Sequence, residues 1–271
     1  MRRLWLGVLV VAACSTPTNT TTTIPVTAVP TTGPTVAAPP ASEVFAPETI
    51  GAFPVVVMFH GGGWFGGSPI STAALAEYLS EQGVVVFNST YRTGNGGGYP
   101  ESFDDVACAI ADARAQAPAY TSTPEALTVV GHSAGAHLGS VVSLSDDVFG
   151  AGCDDTAQVA RFIGLSGVYD PTLYSQLLAT FFHTRYENDP APWEAGNPYS
   201  YLDAASDLEV LLLHGDNDQL VPPSSSELFA AALEDAGHDV TLELLAGGDH
   251  QSTRQPDPAG ALILDWLLPE N

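Results

Sequence analysis

Short apolar runs that stop at glycine-containing turns organise this chain. Val55-Val56-Val57-Met58-Phe59 ends at His60-Gly61, Leu127-Thr128-Val129-Val130 at Gly131, and Val210-Leu211-Leu212-Leu213 at His214-Gly215. A more mixed run, 241–245, stops before Gly247-Gly248. Runs this short, continuous rather than alternating, predict strands covered on both faces, as in a parallel sheet. Between them, 102–116 and 136–144 read as helices, the second built from small and apolar residues suited to packing under a sheet. Strands alternating with helices predict an α/β fold. The stretch from position 43 to 271 has the size of one such domain, long enough for a substantial core.

The turns that end the runs hold the candidate chemistry. Gly131-His132-Ser133-Ala134-Gly135 puts a serine on a sharp strand-to-helix turn, where small neighbours relieve backbone crowding and the hydroxyl is presented as a nucleophile. A chance match in a glycine-rich chain would lack the strand before it and the helix after it. His60-Gly61-Gly62-Gly63-Trp64 follows the strand about seventy residues upstream. Attack on a carbonyl puts negative charge on its oxygen, and backbone N–H groups brought close by glycines stabilise that charge. The candidate donors are Gly62, Gly63 and Ala134. A serine nucleophile also needs a base, and an acid that orients the base. The turn 216–222 carries Asp216 and Asp218, and His250 follows the last run, so the roles are filled in the order Ser, Asp, His. Among the other histidines, His60 and His132 belong to the two motifs and His137 falls on the helix after Ser133. His183 and His238 sit in polar or cap-like contexts, and His214 is placed to brace the acid turn. No set of His, Cys and carboxylates has metal-ligand spacing, and the chemistry calls for no metal or cofactor.

These segments resemble the α/β-hydrolase superfamily of esterases and lipases, most nearly the carboxylesterases with an HGGGW motif that include BD-FAE-type and kynurenine-formamidase-like enzymes. The likeness rests on residues 60–64, 131–138 (GHSAGAHL), 164–170 (GLSGVYD) and 214–222 (HGDNDQLVP), and runs from about position 44 to the C-terminus. It implies an α/β-hydrolase fold, with a mostly parallel sheet of six to seven strands flanked by helices, and a serine carboxylesterase acting through an acyl-enzyme. In that pattern the acid is the third residue after Gly215, which is Asp218, with Asp216 as the alternative. Asp170 corresponds to a structural aspartate, and Trp64 and His132 are expected at the substrate pocket. The motifs do not specify the substrate: an aryl formamide, a polysaccharide-linked ester and a lipid ester all fit. A reading of another class, a surface binding module that keeps the fold without the chemistry, sits poorly with the intact Ser, Asp, His and glycine set. Many members have one or two further strands before the HGGGW strand, so the shorter sheet is expected here. Residues 171–201, rich in proline and in aromatics such as Phe181, Phe182, Tyr186, Trp193 and Tyr199, read as a small cap. Those aromatics are either a wall for the substrate or the packing of an irregular insertion.

The N-terminal end bears on location. Arg2 and Arg3 precede a short apolar stretch, 4–13, too short to span a bilayer and shaped like a secretory signal. Small residues then lead into Cys14, which resembles a bacterial lipobox, so 1–14 is expected to be a lipoprotein signal and Cys14 the lipidated residue. Residues 15–42, dominated by Thr and Pro, cannot bury enough surface to fold and read as a disordered spacer to the domain at 43–271. In an oxidising compartment Cys108 and Cys153 are expected to pair, since neither has a metal-ligand spacing. Closing such a loop stabilises by about 4 kcal/mol in the chain-entropy model. With no lysine, seven arginines and 31 acids, the chain excludes nucleic acid as a partner class and favours a neutral or cationic ester over a polyanionic one.

Overall fold

A computed structural model describes residues 42–268 apart from 125, 146–147, 151–152, 154–158 and 206. The expected signal, the spacer up to position 41 and Cys14 lie outside the described residues.

Seven strands, β1 (Glu43–Phe45), β2 (Val55–Phe59), β3 (Val85–Ser89), β4 (Leu127–His132), β5 (Val159–Leu165), β6 (Glu209–Gly215) and β7 (Asp239–Leu245), form one sheet in the order β1-β3-β2-β4-β5-β6-β7. Only β1 runs antiparallel, pairing Glu43 to Phe45 with Asn88 to Val86. The other pairings are parallel. The helices are α1 (Ala73–Glu81), α2 (Glu101–Gln116), α3 (Ala134–Leu144), α4 (Ser175–Leu178), α5 (Ala191–Ala195), α6 (Ser224–Ala236) and α7 (Ala261–Leu267).

The period of two along β2 sends its side chains to two separate cores. Val55, Val57 and Phe59 join the core under α2, α3 and α6, whereas Val56 and Met58 join the one under α1 and α7. Leu75, Ala76 and Leu79 of α1 and Ile263 and Leu267 of α7 cover that second face. Burial on both faces is why β2, β4 and β6 are continuous apolar runs. A disulfide joins Cys108 on α2 to Cys153, with the Cα atoms 5.4 Å apart and a separation of 45 residues.

The segment 171–201 consists of short helical turns, α4 and α5 among them, with Asp170 and Asn197 accepting from backbone N–H groups at two of the turn starts. Phe181, Phe182 and Trp193 are buried in the larger core, and Phe182 stacks on Trp193 at 4.2 Å. Packing is therefore their role. Tyr174 and Leu177 are the residues of this segment that face the pocket described next.

Candidate active site

Parallel strands that enter the sheet in the same direction bring the turns at their C-terminal ends to one side, where ligands of open α/β sheets collect. The ends of β2, β4, β6 and β7 carry Gly61 to Trp64, Ser133, the acid turn and His250. A cavity of about 380 Å³ opens there, and Gly62, Gly63, Trp64, His132, Ser133 and His250 all line it.

Ser133 sits between β4 and α3 with φ 54° and ψ −116°, a backbone region that a non-glycine residue occupies only under constraint. The constraint comes from both sides. The Ser133 N–H donates to the Leu165 carbonyl at 2.9 Å, and α3 follows without a break. Gly135 lets the first turn of α3 lie against the end of β2, for a Cβ there would meet the carbonyl oxygens of His60 and Phe59 at 2.5 and 2.6 Å. Ala134 opens α3, so its N–H belongs to the positive end of that helix.

The loop after β2 is held from several directions. The His60 ring donates from Nδ1 to the Gly61 carbonyl at 2.7 Å, accepts at Nε2 from Thr90 at 3.0 Å, and stacks on Tyr91, whose hydroxyl donates to the His60 carbonyl at 2.8 Å. Gly62 has φ 139°, a value that L side chains rarely adopt. Trp64 Nε1 donates to His137 Nδ1 on α3 at 3.0 Å, which ties this loop to the helix behind Ser133. His137 in turn donates from Nε2 to the Gly196 carbonyl at 2.8 Å. Burial pushes the His137 pKa down to about 4, which keeps the ring neutral and able to accept from Trp64.

His250 Nδ1 donates to Asp218 Oδ2 at 2.7 Å, and the Asp218 side chain is completely buried. The other carboxylate oxygen accepts from the N–H groups of Leu220 at 2.8 Å and Val221 at 2.9 Å. Burial raises the Asp218 pKa, but the Val221 N–H, the His250 ring and the Leu220 N–H outweigh it, and the carboxyl stays below its ordinary value. With a pure acceptor at Nδ1, the neutral imidazole leaves Nε2 without a proton. Asp216 does not reach His250; its Oδ1 accepts from the Gly247 N–H at 2.6 Å on the surface. His214 lies beneath the acid turn, donating from Nε2 to the Val221 carbonyl at 3.0 Å and approaching Asp218 at 3.2 Å, while Nδ1 meets the Ser226 hydroxyl at 2.7 Å. Burial lowers its pKa, so it braces the turn as a neutral ring.

His132 faces the cavity and also spans it: its Nε2 donates to the His250 carbonyl at 2.8 Å. His238 bonds the Leu202 and Leu208 carbonyls at 2.6 and 3.3 Å, and His183, like Tyr186, is absent from the cavity wall. Val168, Leu220 and Val221 bring the segments 164–170 and 214–222 to the wall, and residues outside the motifs complete it: Gly67, Ser71, Tyr174, Leu177, Gln251 and Arg254. The buried hydroxyls of Ser166, within the segment 164–170, and Thr253, outside every motif, meet at 2.9 Å and fix the loop after His250 to the end of β5. No spacing rule links the positions outside the motifs, because they come from several separate loops. Among the described residues no group of three or more His, Cys, Asp or Glu is placed to hold a metal ion, and no helix is long and apolar enough to cross a membrane.

Comparisons with known proteins agree with this architecture. Esterase LipQ of Mycobacterium tuberculosis is 32% identical over 197 residues, covering 68% of this chain and 46% of that protein. A probable isoprenylcysteine alpha-carbonyl methylesterase ICME of Oryza sativa subsp. japonica is 28% identical over 224 residues, covering 76% of this chain and 53% of the relative. The chain thus spans about half the length of these curated relatives. Among solved structures, a truncated carbohydrate esterase from gut microbiota superposes with a TM-score of 0.73 at 19% identity, over 83% of this chain and 88% of that one, a likeness of fold. The sheet, its flanking helices and these neighbours are those of the α/β-hydrolase fold. Residues 43–233 match the BD-FAE family, and the chain belongs to that family.

Proposed function

We propose that this chain is a serine carboxylesterase in which Ser133 is the nucleophile, His250 the general base and Asp218 the acid that orients it. The observation that carries the reading is that Ser133 and His250 share one cavity while Asp218 holds His250 by a 2.7 Å hydrogen bond at the far ring nitrogen. His250 Nε2 takes the Ser133 proton as Oγ attacks the ester carbonyl. The N–H groups of Gly62, Gly63 and Ala134 hold the oxyanion, and loss of one such donor typically costs on the order of 10²–10³ in rate. The tetrahedral intermediate expels the alcohol, which leaves with the proton from His250. Water activated by the same histidine then cleaves the acyl-enzyme, releasing the acid and restoring Ser133. Trp64 and His132 bound the substrate. We place the enzyme outside the cytoplasm, as a lipoprotein held to a bacterial membrane through Cys14, and acting on a small or polysaccharide-linked ester.

The test is hydrolysis of p-nitrophenyl esters from acetate to octanoate by the full chain beside Ser133→Ala. Turnover that disappears in the variant supports the reading, and the chain-length profile reports the size of the acyl site. Turnover equal in both, or none from folded wild type, overturns it.

A further inference from the structure

One side chain of the cavity is out of character with the rest of the molecule. Of the residues that line it, Arg254 alone carries a permanent charge, and no Asp or Glu is among them. The walls around it are otherwise glycine, two histidines, hydroxyls, the Gln251 amide and the apolar surfaces of Trp64, Val168, Leu177, Leu220 and Val221. Within a chain of 31 acids, Arg92 and Arg161 each have a carboxylate, at 2.8 Å from Asp105 and 2.9 Å from Glu209. Arg254 has none within ion-pair distance among the described residues.

Its partners are neutral and few. Nε donates to Gln251 Oε1 and Nη1 donates to the Ser71 carbonyl, both residues of the cavity wall. A guanidinium has five N–H donors in a planar fork, so these two bonds fix the plane and leave the rest of the fork unspent. The position is set as firmly as the base. Arg254 closes the turn Ser252–Arg254 directly after His250, and Thr253 in the same turn is buried and bonded to Ser166. The charge is felt at the site, since Arg254 is among the groups that add to burial in lowering the His132 pKa.

Resting on the esterase reading above, we propose that the cavity accepts esters that carry a carboxylate, with Arg254 as the residue that binds it. The fork of Arg254 pairs with the two oxygens of the carboxylate, and the apolar walls take the carbon skeleton between that group and the scissile carbonyl. The acidic surface as a whole disfavours anions, but this is a local exception made by one uncompensated cation within the cavity.

Matched substrate pairs test it with the full chain. On the acyl side the pair is 4-nitrophenyl hydrogen glutarate and 4-nitrophenyl pentanoate; on the alcohol side it is 4-acetoxybenzoate and its methyl ester. The quantity read is the ratio of kcat/KM, anionic over neutral, in wild type, Arg254→Gln and Arg254→Lys. In one of the pairs the ratio is expected to fall by roughly ten- to a hundred-fold in Arg254→Gln, the worth of a charged hydrogen bond, with the change in KM and partial recovery in Arg254→Lys. A role limited to stapling the turn to Ser71 would slow both members of a pair together, and ratios unchanged in both pairs overturn the proposal. If no ester is turned over, the esterase reading fails separately. The carboxylate site is then read by calorimetric binding of glutarate, and heat that is the same for wild type and Arg254→Gln counts against it.

Discussion

Replacing Gly135 with alanine would drive a methyl group into the end of β2. Its Cβ would lie 2.5 Å from the His60 carbonyl oxygen and 2.6 Å from that of Phe59. Carbon and carbonyl oxygen settle at about 3.3 Å or more, so the first turn of α3 must back away by about 0.8 Å. The opposing atoms are backbone, that of Phe59 at the end of a strand paired on both sides, with β3 and β4, and that of His60 directly after it, and they have no rotamer to give. Overpacking of this kind costs about 1–3 kcal/mol, against a gain of up to about 1 kcal/mol for alanine over glycine in a helix. A lower melting temperature follows, by roughly 2–4 °C per kcal/mol for a domain this size. The effect on turnover is larger, because the displaced turn carries Ser133 and Ala134 away from the loop at Gly62 and Gly63; a misplacement near 1 Å can cost about 10² in rate. The assay is kcat on p-nitrophenyl butyrate together with a thermal melt, beside Gly139→Ala on the same helix. There the added Cβ meets only the side chains of Val129 and Phe162, at 3.0 and 3.3 Å, which can shift. Wild-type turnover and stability in Gly135→Ala would refute the argument that this helix–strand contact positions the nucleophile.

Three further outcomes are expected. Asp218→Asn should lower kcat by on the order of 10⁴, as loss of a triad acid does elsewhere, whereas Asp216→Asn should change it little; equal losses in p-nitrophenyl ester kinetics would contradict the assignment. His132 and His137 have folded pKa values pushed down to about 4, chiefly by burial, from an ordinary 6.5. The unfolded chain therefore binds more protons between these values, and the stability present above pH 6.5 drains away as pH falls toward 4, on the order of 3 kcal/mol for each ring. Urea unfolding at pH 7, 5.5 and 4 measures this, and a flat profile would show that the rings are not held neutral. Removing the disulfide by Cys108→Ser with Cys153→Ser should cost about 4 kcal/mol in the chain-entropy account and lower the melting temperature; an unchanged melt would mean that the bridge closes no loop that is open in the unfolded chain.

Much of this molecule is legible in its sequence because function and fold use the same punctuation. β2, β4 and β6 are unbroken apolar runs, and each stops where a loop must turn toward the cavity. The shorter or more polar strands are less visible. β1 has three residues, too few for a pattern. β3 ends in Asn88 and Ser89, which are buried because Asn88 bonds Thr72 and the Pro69 carbonyl, contacts no local rule foresees. β5 is interrupted by Arg161 and Gly164, the first at the exposed start of the strand and paired with Glu209. The same division holds at the cavity. Ser133 and Asp218 stand in motifs at the ends of strands, and His250 is marked by its place after the last run. Tyr174, Leu177 and Arg254 reach the cavity only because separate loops converge, and of the aromatics of 171–201, which the sequence left open between wall and packing, Phe181, Phe182 and Trp193 are core. The family pattern puts Asp218 ahead of Asp216 in the one turn that holds both, and in the structure it is the Asp218 carboxylate that meets the His250 ring.

The bond from the His132 ring to the His250 carbonyl gives His250 two attachments, one through its backbone to the turn that bears Ser133 and one through its ring to Asp218. The backbone and the ring of His250 are thus held by different neighbours. Loss of Asp218 would leave the His250 backbone tied to the turn that bears Ser133, while its ring would lose the acceptor at Nδ1.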